Sequence, residues 1–542
     1  MELKFYGATK IVTGSNILLS TKKYNLLLDC GLFQGDKELE SLNYAPFPYN
    51  PSEIDFLILT HAHIDHSGRI PKLIKEGFKG KIISTKPTMQ LSEIMLKDCA
   101  HIQESDIKWE NIRRQRAGEE LLVPLYTIEE AQNSIAYFET FNYDEEIELN
   151  DDIKLIFRDA GHILGSAILE LWIKEDGKNY KVVYTGDLGM PGRPILKDPE
   201  YINEADYLII ESTYGNRVHE NYREDIDKLI DIIENTAYRG GTVLIPSFAV
   251  GRTQELIYEL NRYYEYVNKE EYKKIPIYID SPMAIEATKI FQENAVFFDE
   301  EAKNLILSGD NPFEFENLRY IQSQEESMNL NKAQFPKVII SASGMANAGR
   351  IRHHLKHNLW NPLNSLVFVG YQAAGTLGRI LLDGSKKIKL LGEEIAVELE
   401  IYNLQGFSAH ADIIFLREWI SHLIRKPKKV FIVHGEAEAA NNLSKEIFHY
   451  FGIECLIPDY GDSVIIENGF TTQTISPVEN KLSLLIDLIN ELNYLEQEIS
   501  KIEMMLADKK NKKATLKNYD IIKNKVLEIK NALLEINLIL GK

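Results

Sequence analysis

Residues 59–71, "LTHAHIDHSGRIP", crowd metal-ligand side chains into a short stretch that directly follows an apolar run. Within six residues the segment offers His61, His63, Asp65 and His66. Imidazole and carboxylate groups together suit a borderline divalent ion such as zinc. An extended strand would scatter these side chains over two faces, whereas a loop that leads into a helix lets them converge. The spacing therefore predicts a metal site here.

Three more ligand-type side chains follow strand-like runs later in the chain, each beside a glycine: His162 in "DAGHILGSA", Asp187 in "YTGDLGM" and His434 in "IVHGE". With them the inventory is large enough for two metal shells. We expect each zinc ion to be held by three side chains, with His61, His63 and His162 in the first shell and Asp65, His66 and His434 in the second. Asp187 is expected to bridge the two ions.

Such a centre predicts hydrolysis. Two metal ions a few ångströms apart can share a hydroxide at neutral pH and stabilise an in-line displacement at phosphorus. Phosphodiester hydrolysis fits this description, but the same ligands also serve enzymes that open lactams, thioesters and lactones. Either Asp187 or Asp65 could accept the proton of the attacking water. The ligand set alone does not specify the substrate.

The elements that must position these residues indicate an α/β protein with α+β layering. Strands are predicted at six places, several of which end in a polar cluster followed by Gly: 24–31, 54–61, 81–86, 153–162, 181–189 and 205–212. From about residue 215 helical and strand patterns alternate as in parallel βαβ units, and near residue 393 the pattern of the N-terminal half returns. The last segment is rich in Leu, Ile, Glu and Lys and predicts a helical hairpin or coiled coil. We therefore expect four segments, 1–214, 215–392, 393–478 and 479–542.

Composition narrows the class of protein. A chain of 542 residues with 44% apolar and 26% charged residues predicts a globular protein of two or more domains. No window approaches the ~18 apolar residues of a membrane helix, and the N-terminus lacks a signal-peptide pattern, so we expect a cytoplasmic protein. The three cysteines are too scattered for a disulfide framework. The net charge of −20 argues against a protein that coats nucleic acid, although a local basic cleft could still bind it.

The motifs together resemble a known family. "HAHIDH", taken with Asp29 in "LLLDCG" and with His162 and Asp187, resembles the metallo-β-lactamase fold, an αβ/βα sandwich with a dimetal site at one edge. The resemblance implies that Asp29 supports the metal-site loop through hydrogen bonds. Residues 215–392 resemble the β-CASP insertion, a parallel-sheet domain that marks the branch acting on nucleic acids.

Three further family motifs can be placed: Glu211 in "IIESTYG", His410 in "GFSAHAD" and His434 in "VHGE". A histidine in the third motif is typical of RNA-processing members, whereas DNA-repair members commonly have valine. "HAHIDHSGRIP" is similar to the endonuclease of the cleavage and polyadenylation machinery and its prokaryotic relatives. The resemblance thus implies a zinc-dependent ribonuclease with two zinc ions per chain that cuts single-stranded RNA. Internal cutting and 5′-to-3′ trimming both stay open.

The resemblance also implies roles for the two remaining motif residues. A carboxylate hydrogen-bonded to an imidazole fixes its tautomer and raises its pKa. We therefore expect His410 to be the general acid that protonates the leaving 3′ oxygen, with Glu211 orienting it. The alternative is that His410 only holds a phosphate.

Three turns rich in small residues could bind the RNA backbone. They are "PSFAVGR", "SASGMANAGR" and "GYQAAGTLGR", and their candidate phosphate contacts are Ser247, Arg252, Ser341, Ser343, Arg350 and Arg379. The alternative is that these are ordinary turns and a solvated helix face. Other expected partners are an RNA-processing complex and a second copy of the chain, bound through the helical tail.

Three other functions stay open on the sequence alone. A hydrolase of small thioesters or lactones would have no use for a second domain or for Glu211 and His410. A DNA nuclease is disfavoured by His434. A catalytically inactive scaffold subunit would be expected to have lost metal ligands, and here every expected position is filled.

Overall fold

The computed structural model describes residues 1–35, 37–266, 275–372, 375–467 and 470–474, together with 523–526 and residue 532. The chain separates into two units, Met1–Asn480 and Lys481–Lys542. Residues 523–526 are helical. Apart from these few residues, the predicted helical tail at 479–542 lies outside the described part of the chain.

The N-terminal part alternates strands and helices. Its strands are β1 (Glu2–Phe5), β2 (Ile17–Ser20), β3 (Asn25–Leu28), β4 (Phe56–Ile58), β5 (Lys81–Thr85), β6 (Phe138–Phe141), β7 (Ile147–Asn150), β8 (Ile153–Asp159), β9 (Ala167–Glu175), β10 (Lys178–Tyr184) and β11 (Tyr207–Ile210). Its helices are α1 (Lys37–Ser41), α2 (Ile64–Ser67), α3 (Ile70–Lys75), α4 (Lys86–Ala117) and α5 (Ile128–Ser134).

The middle part continues the alternation. Its strands are β12 (Thr242–Pro246), β13 (Ile277–Ile279), β14 (Leu318–Tyr320), β15 (Lys337–Ser341), β16 (Ser365–Phe368), β17 (Lys387–Leu390), β18 (Glu393–Ala396) and β19 (Glu400–Asn403). Its helices are α6 (Tyr222–Tyr238), α7 (Arg252–Tyr266), α8 (Pro282–Glu293), α9 (Glu300–Leu307), α10 (Gln324–Lys332), α11 (Ile351–Asn358) and α12 (Leu377–Leu382). The last part adds α13 (Ile413–Ser421), β20 (Lys429–Ile432), α14 (Ala437–Phe451), β21 (Cys455–Leu456), β22 (Ser463–Glu467) and β23 (Phe470–Thr474).

Two sheets pack face to face to form a sandwich. One has the order β23-β22-β1-β2-β3-β4-β5-β6 and the other β21-β20-β11-β10-β9-β8-β7. Alternating strand residues fill the two sides: Ile58 lies in the core between the sheets, whereas Leu57 packs under the helices of the outer face. Helices α13 and α14 cover the outer face of the second sheet through residues such as Trp419. The predicted αβ/βα sandwich is confirmed.

A third sheet has the order β14-β13-β15-β12-β16-β19, and its strand pairs are parallel, as predicted for the inserted domain. Its apolar core is shared with the sandwich, because Ala62 and Ile163 belong to the same buried cluster as Val243 and Ile279. The sheet extends to Asn403, beyond the expected boundary at residue 392. The exact domain boundaries stay a prediction.

Strand direction explains why the ligand candidates meet. Strands β10, β11 and β20 are neighbours and parallel, so their carboxyl ends lie at one edge of the sheet. Asp187, Glu211 and His434 follow these ends. Strand β8 has the same direction as β10, since both are antiparallel to β9, and this places His162 at the same edge. In the described residues, no helix is both long and apolar enough to cross a bilayer.

Candidate metal centre

The first group of ligand atoms comes from three different loops. Nε2 of His61 lies 3.1 Å from Nδ1 of His63, which lies 3.2 Å from Nε2 of His162. Oδ2 of Asp187 is 3.4 Å from the His61 nitrogen and 3.6 Å from the His162 nitrogen. Four potential ligands therefore face one point, in a group that forms a candidate metal site.

A second group adjoins the first through Asp187. Its other oxygen, Oδ1, lies 3.2 Å from Nε2 of His66 and 3.5 Å from Nδ1 of His434. Oδ2 of Asp65 lies 3.4 Å from Nε2 of His434. Asp65, His66 and His434 form a candidate metal site of their own. The seven side chains predicted as ligands thus lie together, with Asp187 between the two groups.

The arrangement fits divalent cations. Both carboxylate oxygens of Asp187 are buried and accept no hydrogen bond from the residues that the structure describes. A buried carboxylate without hydrogen bonds is costly unless a positive charge compensates it. Ligand atoms around a tetrahedral zinc ion with bonds of about 2.0–2.1 Å lie about 3.3 Å apart, which is close to the separations found here.

The charge states suit metal binding as well. Burial and the neighbouring His61 lower the pKa of His63 to about 3, so its ring is neutral and can donate a lone pair. Burial opposes the charge on Asp187, but His434, His66 and His61 outweigh it and hold the pKa of this carboxyl well below its usual value. The first group therefore combines the neutral ring of His63 with the negative carboxylate of Asp187. His66 differs, because Asp187 and Asp29 outweigh its burial and raise its pKa well above the usual value.

Asp29 stabilises the loop that carries the ligands through hydrogen bonds. Its carboxylate accepts hydrogen bonds from the Thr60 amide at 2.8 Å, from Nδ1 of His66 at 2.7 Å and from the Tyr184 hydroxyl at 2.9 Å. The bond to Nδ1 directs Nε2 of His66 toward Asp187. Asp29 thus lies where a supporting residue was predicted. Thr60 and Tyr184 were missed, although the position of Thr60 directly before the motif was a weak signal.

Glu211 and His410 form a pair at the edge of the centre. Nδ1 of His410 lies 3.2 Å from Oε2 of the buried Glu211 and 3.9 Å from Oδ2 of Asp187. The Leu188 amide donates to Oε1 of Glu211 at 2.6 Å and fixes the carboxylate. Burial disfavours a charged imidazole, but Glu211 outweighs this effect and raises the pKa of His410 to about 9. His410 therefore carries a proton at neutral pH.

His219 was not predicted to be part of the site, yet it anchors the backbone of His410. Its Nε2 lies 2.9 Å from the His410 carbonyl oxygen, and its amide donates to Asp412 at 3.1 Å. The His410 segment also pairs with Gly189 in an isolated bridge. These contacts tie the loop after β10 to the segment that carries His410.

Comparison with known families agrees with this geometry. Residues 11–240 match the metallo-β-lactamase superfamily, residues 253–381 the β-CASP domain, and residues 394–458 a domain described as a Zn-dependent metallo-hydrolase RNA specificity domain. The chain is 37% identical over 464 residues to a ribonuclease from Thermus thermophilus, and the match covers 86% of this chain and 100% of the relative. The chain belongs to the metallo-β-lactamase superfamily, in its β-CASP branch.

Two further relatives extend this comparison. A transcription termination factor from Methanosarcina mazei is 34% identical over 460 residues, with 83% of this chain and 69% of the relative covered. An RNase J-like protein from Methanocaldococcus jannaschii is 33% identical over 462 residues, with 85% and 98% covered. The predicted family and its class, a metal-dependent hydrolase, are confirmed.

In this β-CASP protein, the three turns proposed for RNA binding follow β12, β15 and β16 at one edge of the parallel sheet. Several of their polar groups have internal partners. Ser341 donates to the Asp280 carbonyl at 2.7 Å, Arg350 pairs with the Asp280 carboxylate at 2.6 Å, and Arg252 pairs with Glu255. Ser247 donates to the Phe248 carbonyl.

The other two candidates lie at partly exposed positions. Ser343 is half-buried, and its hydroxyl accepts a hydrogen bond from the Ala348 amide at 3.2 Å. Arg379 is partly exposed and pairs with Asp383 at 2.9 Å on the surface of α12. An exposed ion pair of this kind is weak and can exchange for a phosphate. The RNA contacts stay a prediction, with Ser343 and Arg379 the best placed of the six.

Proposed function

We propose that the protein is a zinc-dependent ribonuclease that hydrolyses phosphodiester bonds of single-stranded RNA and leaves 5′-phosphate and 3′-hydroxyl ends. The observation that carries the proposal is the Glu211–His410 pair beside Asp187, because it adds a proton donor to a candidate dimetal centre. The relatives described as ribonucleases and the match to an RNA specificity domain support the choice of RNA.

We assign the metal ligands as the geometry groups them. His61, His63 and His162 would hold one zinc ion, Asp65, His66 and His434 the other, and Asp187 would bind both. When bound, two zinc ions would polarise a phosphoryl oxygen and lower the pKa of a water molecule between them. Asp29 would keep the His66 ring in its ligating orientation.

The protein's own groups would then move the protons. His410 is protonated at neutral pH and would donate a proton to the departing 3′ oxygen, while Glu211 holds the ring in place. A carboxylate that accepts the proton of the attacking water must reach that water. The Asp65 side chain is 22% exposed and that of Asp187 only 1%, so Asp65 is the better placed base. Ser343 and Arg379 would hold the RNA backbone.

The test uses one purified preparation whose zinc content is measured. A 5′-labelled single-stranded RNA and the matching DNA are incubated with the wild type, with His410→Ala, and with His422→Ala as a control at an exposed histidine. We expect about two zinc ions per chain, cut RNA, intact DNA, slow cleavage by His410→Ala and normal cleavage by the control. The product ladder separates internal cutting from 5′-to-3′ trimming.

Equal cleavage of RNA and DNA would contradict the choice of RNA. A protein that binds zinc and cuts neither polymer would contradict the nuclease function itself. Loss of zinc from His410→Ala would show that this residue is a ligand and not the proton donor.

We also propose that the chain forms a homodimer through residues 479–542. The support is the repeated three-to-four spacing of Leu and Ile in this segment. Deletion of these residues should lower the mass measured by light scattering from that of a dimer to that of one shortened chain, and a mass of two shortened chains would contradict a role for the segment. Association with a larger RNA-processing complex would appear as co-purifying RNA-processing subunits that the deletion leaves unchanged.

A further inference from the structure

Phe248 is an exposed aromatic residue at the carboxyl edge of the β-CASP sheet. It lies in the turn after β12 and is 45% exposed as a residue, whereas its neighbours Ser247, Ala249 and Val250 are buried. Leaving a phenyl ring in water forgoes the free energy of burying it. In a turn whose other members are buried, this exposure needs a reason.

The ring of Phe248 rests on the backbone of a neighbouring turn. A Cβ built on Gly344 would lie 2.9 Å from Cδ2 of Phe248, which is too close for a real side chain. A Cβ on Gly370 would lie 4.0 Å from Cε2, at the distance of ordinary contact. Gln372 donates hydrogen bonds to the carbonyls of both glycines, at 3.0 and 3.1 Å, and so ties the two turns together. One side of the ring is therefore packed against the backbone of these two turns.

The turn that carries Phe248 touches the metal-ligand loop. A Cβ on Gly251 would lie 3.2 Å from Cγ2 of Ile163, the residue next to the proposed ligand His162. Ala249, Val250 and Ile163 belong to one buried cluster. The exposed ring is thus placed at the boundary between the β-CASP sheet and the centre.

A second exposed aromatic residue and two cations lie nearby. Tyr371 follows Gly370 and is 37% exposed. The charges of Glu436, Arg217 and Arg379 act on its phenol. Tyr214, another neighbour, has its ring centroid 6.2 Å from that of His410. Arg217 is exposed and forms no ion pair within the described ranges. Tyr214 therefore connects this group of rings and charges to His410.

We propose that Phe248, with Tyr371 beside it, is a stacking platform for an unpaired nucleobase next to the scissile phosphate. The inference rests on the proposed function and adds the reason for a preference for single strands. A base within a duplex is already stacked on both faces, whereas an unpaired base offers a free face to an aromatic ring. Every base has such a face, so the platform adds affinity without sequence preference.

The test combines a protein variant with an altered substrate. A set of single-stranded RNAs, each with one abasic position, is cleaved by the wild type, by Phe248→Leu and by Phe248→Tyr. Phe335→Leu is the control, because Phe335 is 43% exposed on the same domain and precedes β15. Melting temperature and zinc content show that each variant is folded and loaded.

For the wild type we expect kcat/KM to fall about tenfold at one abasic position near the cut, as for the loss of one stacked base. Phe248→Leu should lose about tenfold on intact RNA and lose nothing further at that position. Phe248→Tyr and Phe335→Leu should behave as the wild type.

Each other outcome counts against the platform. If Phe248→Leu keeps the full abasic penalty, the base is held elsewhere. If the wild type cuts RNA but is indifferent to every abasic position, no base is stacked, a result that does not depend on the variants being folded. If the wild type loads zinc and cuts no RNA, the proposed function fails and this inference fails with it.

Discussion

At the scale of single residues, the centre depends on groups that orient the ligands without binding metal. Asp29 is the clearest case, because one carboxylate joins His66, Thr60 and Tyr184. Its backbone has φ +61°, a conformation that asparagine also tolerates. Asp29→Asn therefore keeps the backbone, removes the charge and replaces one acceptor oxygen with an NH2 donor.

We expect Asp29→Asn to weaken zinc binding by about 10–100-fold, the usual cost of losing such an orienting partner. Competition with a chelator of known affinity measures the change. The matched control is Asp176→Asn, which alters an exposed turn residue at φ +51° that pairs with Lys22. Equal zinc affinity in both variants would show that the charge on Asp29 does not support the ligands.

The protonation of His410 leads to a second prediction, which concerns the pH dependence of kcat. Burial opposes the charge, but Glu211 raises the pKa of His410 to about 9, so the proton is present below that pH and is lost above it. If His410 is the acid, kcat falls as the pH rises through this range. Glu211→Gln removes the main cause that raises the pKa, and the alkaline fall should begin at lower pH.

The measurement is kcat against pH for the wild type and for Glu211→Gln, with zinc content followed at each pH. An alkaline fall at the same pH in both proteins would contradict the pairing. A fall that follows the loss of zinc would assign it to the metal centre.

At the scale of elements, the loops that carry the ligands meet backbone to backbone. Gly189, in the loop after β10, lies so close to the His162 loop that a Cβ on it would be 1.9 Å from the Gly161 carbonyl oxygen. Gly192, three residues further along, has open space around the same position. A side chain at Gly189 is therefore excluded by close packing, whereas one at Gly192 is disfavoured only by the backbone conformation.

We expect Gly189→Ala to displace the His162 loop, to lower the free energy of unfolding by about 1–3 kcal/mol and to reduce zinc content and activity. Gly192→Ala should cost about 1–2 kcal/mol, since its φ of +72° is strained for a residue with a Cβ, but it should keep its zinc. Chemical denaturation and metal analysis of the two variants check the difference. Normal zinc loading by Gly189→Ala would contradict this close approach.

The same loops show what a sequence can predict about such a site. Asp187 and His434 were predictable because each follows a strand-like run, and parallel neighbouring strands bring their carboxyl ends together. The role of Tyr184 was not predictable, because its sequence context is that of an ordinary buried strand residue. Only the packing of the two sheets brings its hydroxyl to Asp29. Ser341 and Arg350 fit the pattern of a phosphate turn, but the pattern does not reveal that Asp280, from the end of β13, bonds to both.

At the scale of the whole molecule, the centre joins parts of the fold that are distant in sequence. Asp65 and His66 come from the first sheet's side of the sandwich, whereas His162, Asp187 and His434 come from the edge of the second. The apolar cluster beneath the ligand loops also includes residues of the β-CASP sheet. A cation bound here would link the two sheets of the sandwich, and the shared apolar cluster joins the β-CASP sheet to them.

The last prediction follows from this position. Because zinc would bind the folded protein and compensate the buried Asp187, its removal should destabilise the whole sandwich. Zinc at 100 times its dissociation constant adds about 2.7 kcal/mol per site to the free energy of unfolding. The melting entropy is about 2.1 cal/mol/K per residue, so a unit of this size shifts by about 1 °C per kcal/mol, and chelation that empties both sites should lower the melting temperature by several degrees.

Thermal melts with and without a chelator measure this, and His434→Ala should show a smaller zinc-dependent shift because only the first group of ligands stays complete. Magnesium should not restore the lost stability, since it prefers oxygen ligands and this centre is mostly imidazole. If the chelator leaves the melting temperature unchanged while it removes the zinc, the three sheets hold the ligands in place without the metal. Asp29 and the shared apolar core alone would then hold the ligand loops in place, and zinc would contribute to catalysis but not to the stability of the fold.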